Sequence, residues 1–258
     1  MKAVAGKLFL VPNTLDFGIT GQDPLPDLQQ VLPLEVIRTA ARLTHWVAEN
    51  AKTTRAFLNR VNAVVPLANT LQSLQIVELL RPRKGAPSAP STPLDALLAP
   101  ALQGHDIGLN SEAGLPAVAD PGAALVEAAH RLGIEVVPLS GPSSLLMALS
   151  ASGLNGQSFA FVGYLPVESS LRDARIRELE ALSRRSQQTQ LAIETPYRNP
   201  ALMNALLATL GPTTRLSVSC GLSLPNGWIR TDSVAAWKLK PRALPIDIPA
   251  VFAWLAAR

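Results

Sequence analysis

The sequence predicts an α/β fold, and three observations support that prediction. Short apolar runs alternate with stretches of helical periodicity, which is typical of a mainly parallel sheet covered by helices. Turn-forming residues are abundant, with 22 prolines and 16 glycines in 258 residues, so many short elements are separated by tight turns. Hydrophobic residues make up 48% of the chain and charged residues 16%, which excludes an intrinsically disordered protein.

Composition excludes several further classes. A single cysteine allows neither an internal disulfide nor a cysteine-based metal cage, and the three histidines are scattered singly, so we predict no metal site. No apolar stretch reaches the roughly 18 residues of a membrane span, and the apolar run after Lys7 is too short for a signal peptide. We therefore expect a cytoplasmic protein with no membrane partner. The net charge of +4 and the pI near 9.6 are compatible with a nucleic-acid partner without requiring one.

The N-terminal half is predicted to start with an apolar strand that Pro12 ends. Apolar residues at helical spacing define the helices that follow, and short apolar runs define the strands. In chain order, the predicted elements are strand Leu8–Val11, helix 34–43, strand His45–Ala48, helix 52–60, strand 107–109, helix 123–132, strand 134–139 and helix 145–152. Segment 81–93, with the sequence RPRKGAPSAPSTP, is predicted as an exposed loop; its basic residues could contact phosphate, but solvated side chains are the better explanation.

The C-terminal half continues the alternation and then adds strands. In chain order, the predicted elements are strand 159–163, helix 169–183, strand 191–194, helix 199–210, and strands near 216–220, 228–230 and 248–254. Glycine and asparagine cluster at 153–158, between two elements, and we place a domain boundary there. The predicted domains are residues 1–155 and 156–258.

One candidate ligand-binding loop, 110–122, follows the strand at 107–109. Ligands of open α/β sheets bind at the carboxyl ends of strands. Small residues in this loop let the backbone approach a ligand, and the carboxylate of Glu112 can accept hydrogen bonds from ribose hydroxyls. Asp120 is predicted to cap the next helix, with Pro121 at its first position.

A second candidate loop, SGPSS at 140–144, precedes the helix at 145–152. Its last two serines can bind an anionic ligand group at the helix N-terminus, or can simply cap the helix, which the local sequence favours. Motifs for other enzymes are absent from the chain. There is no G-x-G-x-x-G, no G-x-x-x-x-G-K-[ST] and no G-x-S-x-G, which argues against a nicotinamide enzyme, a common Rossmann methyltransferase, a P-loop NTPase and an α/β-hydrolase.

Four motifs occur together in chain order. They are SEAGLPAVADPG at 111–122, SGPSS at 140–144, GYLP at 163–166 and IETPYR at 193–198. With them the sequence resembles the tetrapyrrole methylase superfamily, the class III S-adenosylmethionine (SAM) methyltransferases. It is most similar to the branch of the ribosomal small-subunit cytidine 2'-O-methyltransferases and their shorter bacterial relatives. The resemblance covers most of the chain, and the motifs are more specific for the superfamily than for a substrate.

The resemblance implies two α/β domains with SAM in the interdomain cleft, and a homodimer. It also implies that the loop at 111–115 and two serines of the second loop contact the cofactor, and that the C-terminal domain closes the site. The residues so implied are Pro12 (facing the acceptor), Ser111, Glu112, Ala113, Leu115, Ser143, Ser144, Glu194, Thr195 and Gly221.

Two departures from the family pattern lie in the parts that bind the acceptor. The rRNA enzymes have a Thr-Pro-Ile-Gly-Asn-type loop after the first strand, where this chain reads PNTLDFG at 12–18. They have Ala-Glu-Asp-Thr-Arg after the second strand, where this chain reads AENAK at 48–52. The acceptor is therefore less well determined than the cofactor.

Glu49 and Arg55 are the candidate catalytic residues beside the acceptor. Glu49 is the only acidic residue of the second-strand motif, and a carboxylate there can act as general base toward a ribose hydroxyl. In the alternative, which we weight equally, Glu49 pairs with Lys52 or Arg55 and shapes the loop.

The expected function is SAM-dependent methyl transfer to a ribose 2'-hydroxyl of rRNA. A methyltransferase of the same fold acting on a small molecule such as a tetrapyrrole stays open, as does a SAM-binding protein without catalysis. Five arginines within or directly after the predicted helix 169–183 favour an RNA acceptor to a small degree, but interspersed acidic residues make a solvated helix the better explanation. These arginines are Arg172, Arg175, Arg177, Arg184 and Arg185.

Overall fold

The computed structural model describes residues 4–16, 27–79 and 93–258. They form two compact units, Met1–Ser143 and Ser144–Arg258. The loop predicted at 81–93 lies outside the described residues except for Pro93, and so do the last two residues of the PNTLDFG segment.

The N-terminal unit contains one five-stranded sheet with the strand order β3-β2-β4-β1-β5. All of its pairings are parallel, as the alternation of strands and helices predicts. Its strands are β1 (Leu8–Val11), β2 (His45–Ala48), β3 (Gln75–Glu78), β4 (Ile107–Asn110) and β5 (Val136–Pro138). Its helices are α1 (Leu34–Arg42), α2 (Ala51–Val64), α3 (Leu94–Leu102) and α4 (Ala123–Arg131).

Apolar side chains cover both faces of this sheet, which is why its central strands are continuous hydrophobic runs. On one face, Phe9 and Val11 of β1 pack with α1 and α2. On the other face, Leu8 packs with α3 and α4. Because successive side chains of a strand point to opposite faces, the four-residue run of β1 serves both layers.

The C-terminal unit contains a second five-stranded sheet with the order β6-β7-β10-β8-β9. Its strands are β6 (Phe159–Tyr164), β7 (Thr189–Ile193), β8 (Arg215–Cys220), β9 (Trp228–Ser233) and β10 (Ala250–Leu255), and its helices are α5 (Ser144–Ser152), α6 (Ser169–Ser186), α7 (Asn199–Thr209) and α8 (Val234–Leu239). Only β6 and β7 pair in parallel, because β10 inserts antiparallel between β7 and β8. The prediction of a mainly parallel sheet therefore holds for the N-terminal unit, whereas the sheet of the C-terminal unit is mainly antiparallel.

The division between the units falls between Ser143 and Ser144, earlier than the predicted boundary at 153–158. Helix α5 accordingly belongs to the C-terminal unit. Its buried residues Leu145, Ala148 and Leu149 pack with Val251 and Ala253 of β10. The contacts that assign α5 to this unit include residues of β10, more than a hundred positions later in the chain. No local sequence signal reveals such contacts.

One predicted cap is wrong, and three elements were not predicted. Helix α4 begins at Ala123 with Gly122 as its N-cap, so Asp120 does not cap it. Strand β3 is mostly exposed and only half apolar, α3 contains Pro100, and α8 has only six residues. Each of these features weakens the periodicity on which sequence prediction depends. Among the helices that the structure describes, none is long and apolar enough to cross a membrane.

Candidate functional site

Three strands of the N-terminal sheet end side by side at one edge. Asn110, the last residue of β4, lies opposite Val11 of β1 and Ala48 of β2. The loops that follow begin at Pro12, Glu49 and Ser111, so the topology brings three predicted segments to the same edge. This edge is where open α/β sheets bind ligands.

The side chain of Asn110 links the elements that meet at this edge, a role that the sequence analysis did not identify. Its side chain is fully buried. Its Nδ2 donates to the carbonyl of Val11 at 3.0 Å, and its Oδ1 accepts from the hydroxyl of Thr54 at 3.1 Å. A buried amide costs free energy unless both of its ends are hydrogen-bonded, so these bonds hold β1, β4 and α2 in one arrangement.

The β4 loop, residues 111–115, provides a surface that a ligand can approach. Ser111 is buried, and its hydroxyl donates to the carbonyl of Ala113 at 3.2 Å. Gly114 has a φ of +69°, a conformation that favours glycine. Glu112, Ala113 and Leu115 are half-buried, and the Glu112 carboxylate accepts no hydrogen bond from any described residue. The loop thus offers a small-residue backbone beside one available carboxylate.

Glu49 contacts the β4 loop directly. Its Oε2 accepts a hydrogen bond from the backbone N–H of Glu112 at 2.9 Å, and its own N–H donates to the carbonyl of Asn110 at 3.0 Å. The predicted acceptor-side carboxylate therefore lies beside the predicted cofactor loop. Arg55 is exposed on α2 and forms no ion pair within the described ranges.

Asn50, which stands where the relatives have an aspartate, caps helix α2. Its Oδ1 accepts from the backbone N–H groups of Lys52 and Thr53, at 2.9 and 3.2 Å. Aspartate and asparagine cap helices almost equally well, so this departure leaves the start of α2 intact.

The β1 segment, residues 13–16, is buried throughout. Asn13 pairs with Gly114 of the β4 loop through two backbone hydrogen bonds, at 2.9 and 3.2 Å. At the other end, Asp16 forms an ion pair of 2.9 Å with Arg60 of α2, and the two side chains are only 11% and 16% exposed. The sequence analysis did not find this pair, because no motif links residues 44 positions apart.

Pro12 packs against the second candidate loop. A Cβ added at Gly141 would lie 2.3 Å from Cβ of Pro12, so only glycine fits there. Ser143 and Ser144, at the end of this loop, are half-buried. The predicted contact residues of the N-terminal unit, from Pro12 to Ser143, therefore flank the same sheet edge.

Ser144 is the first residue of α5, and the other site residues predicted in the C-terminal unit follow β7 and β8. These two strands lie on either side of β10, and both end at the same edge. Glu194 is buried; its Oε1 accepts from the N–H of Thr195 at 2.8 Å, and its Oε2 pairs with Arg198 at 2.9 Å. Gly221 forms the turn after β8 and donates its N–H to the carbonyl of Pro249 at 2.9 Å. Glu194 thus has a structural role, and its predicted cofactor contact stays a prediction.

No group of three or more potential ligands among the described residues could hold a metal ion. The buried Cys220 is a free thiol whose pKa is raised by burial, with Arg242 opposing that shift. This cysteine therefore stays a protonated, apolar-like core residue.

A family model described as Tetrapyrrole (Corrin/Porphyrin) Methylases matches residues 33–235. The chain belongs to this family. The matched range runs from the start of α1 to the first two residues of α8, and so it reaches into both units and includes most of the strand-end loops.

Curated relatives named "Ribosomal RNA small subunit methyltransferase I" match parts of the chain. The Vibrio cholerae protein is 41% identical over 43% of this chain and 37% of its own length. The Mesorhizobium japonicum protein is 36% identical over 54% and 46%, and the Halalkalibacterium halodurans protein is 29% identical over 73% and 58%. The match thus spans between about a third and three fifths of the length of these relatives.

Two solved structures share the fold over nearly the whole chain. The crystal structure of uroporphyrin-III-C-methyltransferase from Thermus thermophilus matches with a TM-score of 0.51 and 20% identity, over 97% of this chain and 94% of that one. The methyltransferase CobJ matches with a TM-score of 0.52 and 15% identity, over 98% and 95%. At these identities the likeness establishes the two-unit α/β architecture alone.

Proposed function

We propose that this chain is a SAM-dependent methyltransferase that acts on the 2'-hydroxyl of an rRNA ribose. The hydrogen bond from the Glu112 amide to the Glu49 carboxylate carries this proposal, because it joins the loop implied to bind the cofactor to the loop implied to bind the acceptor. Membership in the family supports methyl transfer, and the names of the relatives support rRNA as the acceptor.

The β4 loop fits the nucleoside part of SAM. Its small residues, of which Ala113 is half-buried, allow close approach, and the Glu112 carboxylate can accept hydrogen bonds from two ribose hydroxyls. When bound, SAM supplies a methyl group already activated by the sulfonium, so the protein's task is alignment. Holding a hydroxyl in line about 3 Å from that methyl can supply roughly 7 to 11 kcal/mol of the barrier.

Glu49 is proposed as the general base. Its carboxylate is fixed at the sheet edge by the Glu112 amide, and it would accept the proton that the ribose hydroxyl loses as the new O–C bond forms. Arg55, exposed on the second turn of α2, would bind an acceptor phosphate. Position and charge of both side chains thus suit an RNA acceptor.

A cytoplasmic homodimer is the proposed assembly, on the strength of the family resemblance.

Methyl transfer to a small molecule is the second candidate function, because the description of the matching family names corrin and porphyrin methylases. The methyl-transfer assay described next distinguishes an rRNA acceptor from a small-molecule acceptor.

The test starts with purified protein. Calorimetry with SAM or S-adenosylhomocysteine should show one site per chain, and tritiated methyl should pass from SAM to small ribosomal subunits that lack the modification. Mass spectrometry of the nucleosides should then find a ribose-methylated product. Binding of SAM without transfer to these subunits would remove the RNA acceptor and leave the small-molecule and non-catalytic alternatives. No heat with either ligand would refute the cofactor assignment.

Replacing Ala113 by tryptophan tests the position of the cofactor. Ala113 is half-buried in the β4 loop and outside the hydrophobic core, so Ala113→Trp should abolish binding of S-adenosylhomocysteine while leaving the melting temperature nearly unchanged. Ala181→Trp, at an exposed position of α6, is the matched control and should bind normally. Normal binding by Ala113→Trp would place the cofactor elsewhere.

A further inference from the structure

The β1 segment, residues 13–16, contacts two different parts of the N-terminal unit in alternation. Asn13 and Leu15 contact the β4 loop, whereas Thr14 and Asp16 contact Arg60 of α2. The backbone of this segment bends at Leu15 and Asp16, and its successive side chains point to different partners. The segment therefore links the β4 loop to α2.

Asn13 makes the contact with the β4 loop. Its side chain is 4% exposed, and its Nδ2 donates to the carbonyls of Ser111 and Glu112 at 3.2 and 3.1 Å. Its Oδ1 accepts from the N–H of Thr14 at 2.8 Å. Together with the backbone pair between Asn13 and Gly114, these bonds fix the start of the segment to three residues of the loop.

Leu15 adds an apolar contact on the same side. A Cβ added at Gly114 would lie 3.3 Å from Cδ2 of Leu15, which is closer than nearly all Cβ contacts in proteins. Leu15 therefore lies beside Gly114, where a larger residue would press against its side chain.

Arg60 makes the contact on the opposite side. Its Nη1 donates to the hydroxyl of Thr14 at 3.1 Å and to Oδ2 of Asp16 at 2.9 Å. The same hydroxyl donates to Oδ1 of Asp16 at 2.7 Å, so both carboxylate oxygens are engaged. The buried pair holds the end of the segment on α2, the helix that also carries Arg55.

We propose that Asn13 is a positioning residue that transmits cofactor binding at the β4 loop to the β1 segment and hence to the acceptor side. The proposal rests on the proposed function, since it takes the β4 loop to bind SAM. A ligand that orders residues 111–115 fixes the two carbonyls that Asn13 holds, and the segment up to Asp16 becomes ordered with them. The free-energy coupling runs through the hydrogen bonds of the Asn13 side chain. Asn13 belongs to the segment in which this chain departs from the family loop.

Hydrogen exchange with S-adenosylhomocysteine tests this proposal without an RNA ligand. In the unsubstituted protein, ligand binding should slow exchange of the amides of residues 14–16 by about fivefold or more, the lower range of ordinary coupling between sites. In Asn13→Ala the ligand should still protect residues 111–115 but should leave residues 14–16 unchanged. Asn13→Asp, which keeps the acceptor for Thr14 and loses the donor to the loop, should behave in the same way.

Asn155→Ala is the matched control. Asn155 also uses its Nδ2 on a carbonyl, that of Gln187 at 2.7 Å, and its Oδ1 on the N–H of Gln157 at 3.0 Å, but it lies in the C-terminal unit. Its loss should leave the protection of residues 14–16 intact.

The unsubstituted protein alone can overturn the proposal, so folding of the variants does not limit the test. Protection of 111–115 without protection of 14–16 contradicts it, and so does protection of 14–16 that persists in Asn13→Ala. Calorimetry on the same samples separates this failure from failure of the proposed function. If no ligand binds at all, the cofactor assignment fails and the coupling with it.

Discussion

Glu49 is the residue on which the chemical proposal is most directly testable. Glutamine at this position keeps an oxygen that can accept from the Glu112 amide, so Glu49→Gln can preserve the bond between the two loops while it removes the carboxylate that would take up the proton. We expect turnover to fall by about two orders of magnitude or more, with the affinity for SAM nearly unchanged. Single-turnover rates and calorimetry measure the two quantities.

Glu49→Ala is the companion variant, because it removes the hydrogen bond as well. It should weaken SAM binding in addition to slowing transfer. A loss of less than tenfold in Glu49→Gln would mean that the carboxylate shapes the loop and accepts no proton.

Gly141 is a second residue with a definite expectation. Its hydrogen faces the ring of Pro12, and a methyl group in its place would lie 2.3 Å from Cβ and 2.4 Å from Cγ of that rigid ring. Gly141→Ala should destabilise the protein by about 1 to 3 kcal/mol through overpacking and should weaken cofactor binding by shifting the loop at 140–144. Chemical denaturation and calorimetry measure these effects. Gly156→Ala, where nothing lies within 4 Å, should be silent, and equal effects at both positions would refute the steric argument.

The start of strand β2 carries a pH-sensitive contact. The rings of His45 and His105 stack with centroids 4.9 Å apart. Burial, and secondarily the neighbouring His105, lower the pKa of His45 below its usual value of 6.5. The unfolded chain therefore takes up a proton at His45 at a higher pH than the folded protein does.

Because the unfolded state binds this proton more tightly, the stability contributed by His45 is complete above about pH 6.5 and falls as the pH decreases toward the lowered pKa. We expect the melting temperature to drop over this interval and to drop less in His45→Gln. His105→Gln should give an intermediate slope, since it removes one of the two causes. Identical slopes in all three proteins would show that other groups dominate.

The division of the whole chain into two units can be tested with fragments. A fragment that starts at Ser144 retains α5, whose Leu145 and Leu149 pack on β10. A fragment that starts at residue 156 lacks this helix and exposes the sheet face it covers. Since each buried leucine contributes about 1.5 to 3 kcal/mol, the shorter fragment should lose several kcal/mol. The fragment 144–258 should therefore melt cooperatively and 156–258 should aggregate or unfold, as circular dichroism and light scattering would show. Equal behaviour would favour the boundary predicted from the sequence.

The sequence by itself determined most elements and the place of the β4 loop. Period-2 and period-3.6 patterns are local, so strands such as β1 and helices such as α1 are visible in a short window. Loops at the carboxyl ends of strands are equally local features, and the motif at 111–122 led to the family that the comparison then established. The same local reasoning failed where the pattern is weak, as in the exposed β3 and the six-residue α8.

Only the tertiary structure decided which loops meet and what holds them. Asn13 and Glu112 are 99 positions apart, Asp16 and Arg60 are 44 apart, and Glu49 and Glu112 are 63 apart. The membership of α5 likewise depends on β10, at the end of the chain. Hydrogen bonds and packing between distant segments form only once the sheet has brought the strand ends together, and they leave no periodic signal in the sequence. That is why the sequence revealed the candidate residues, and the folded chain revealed their partners.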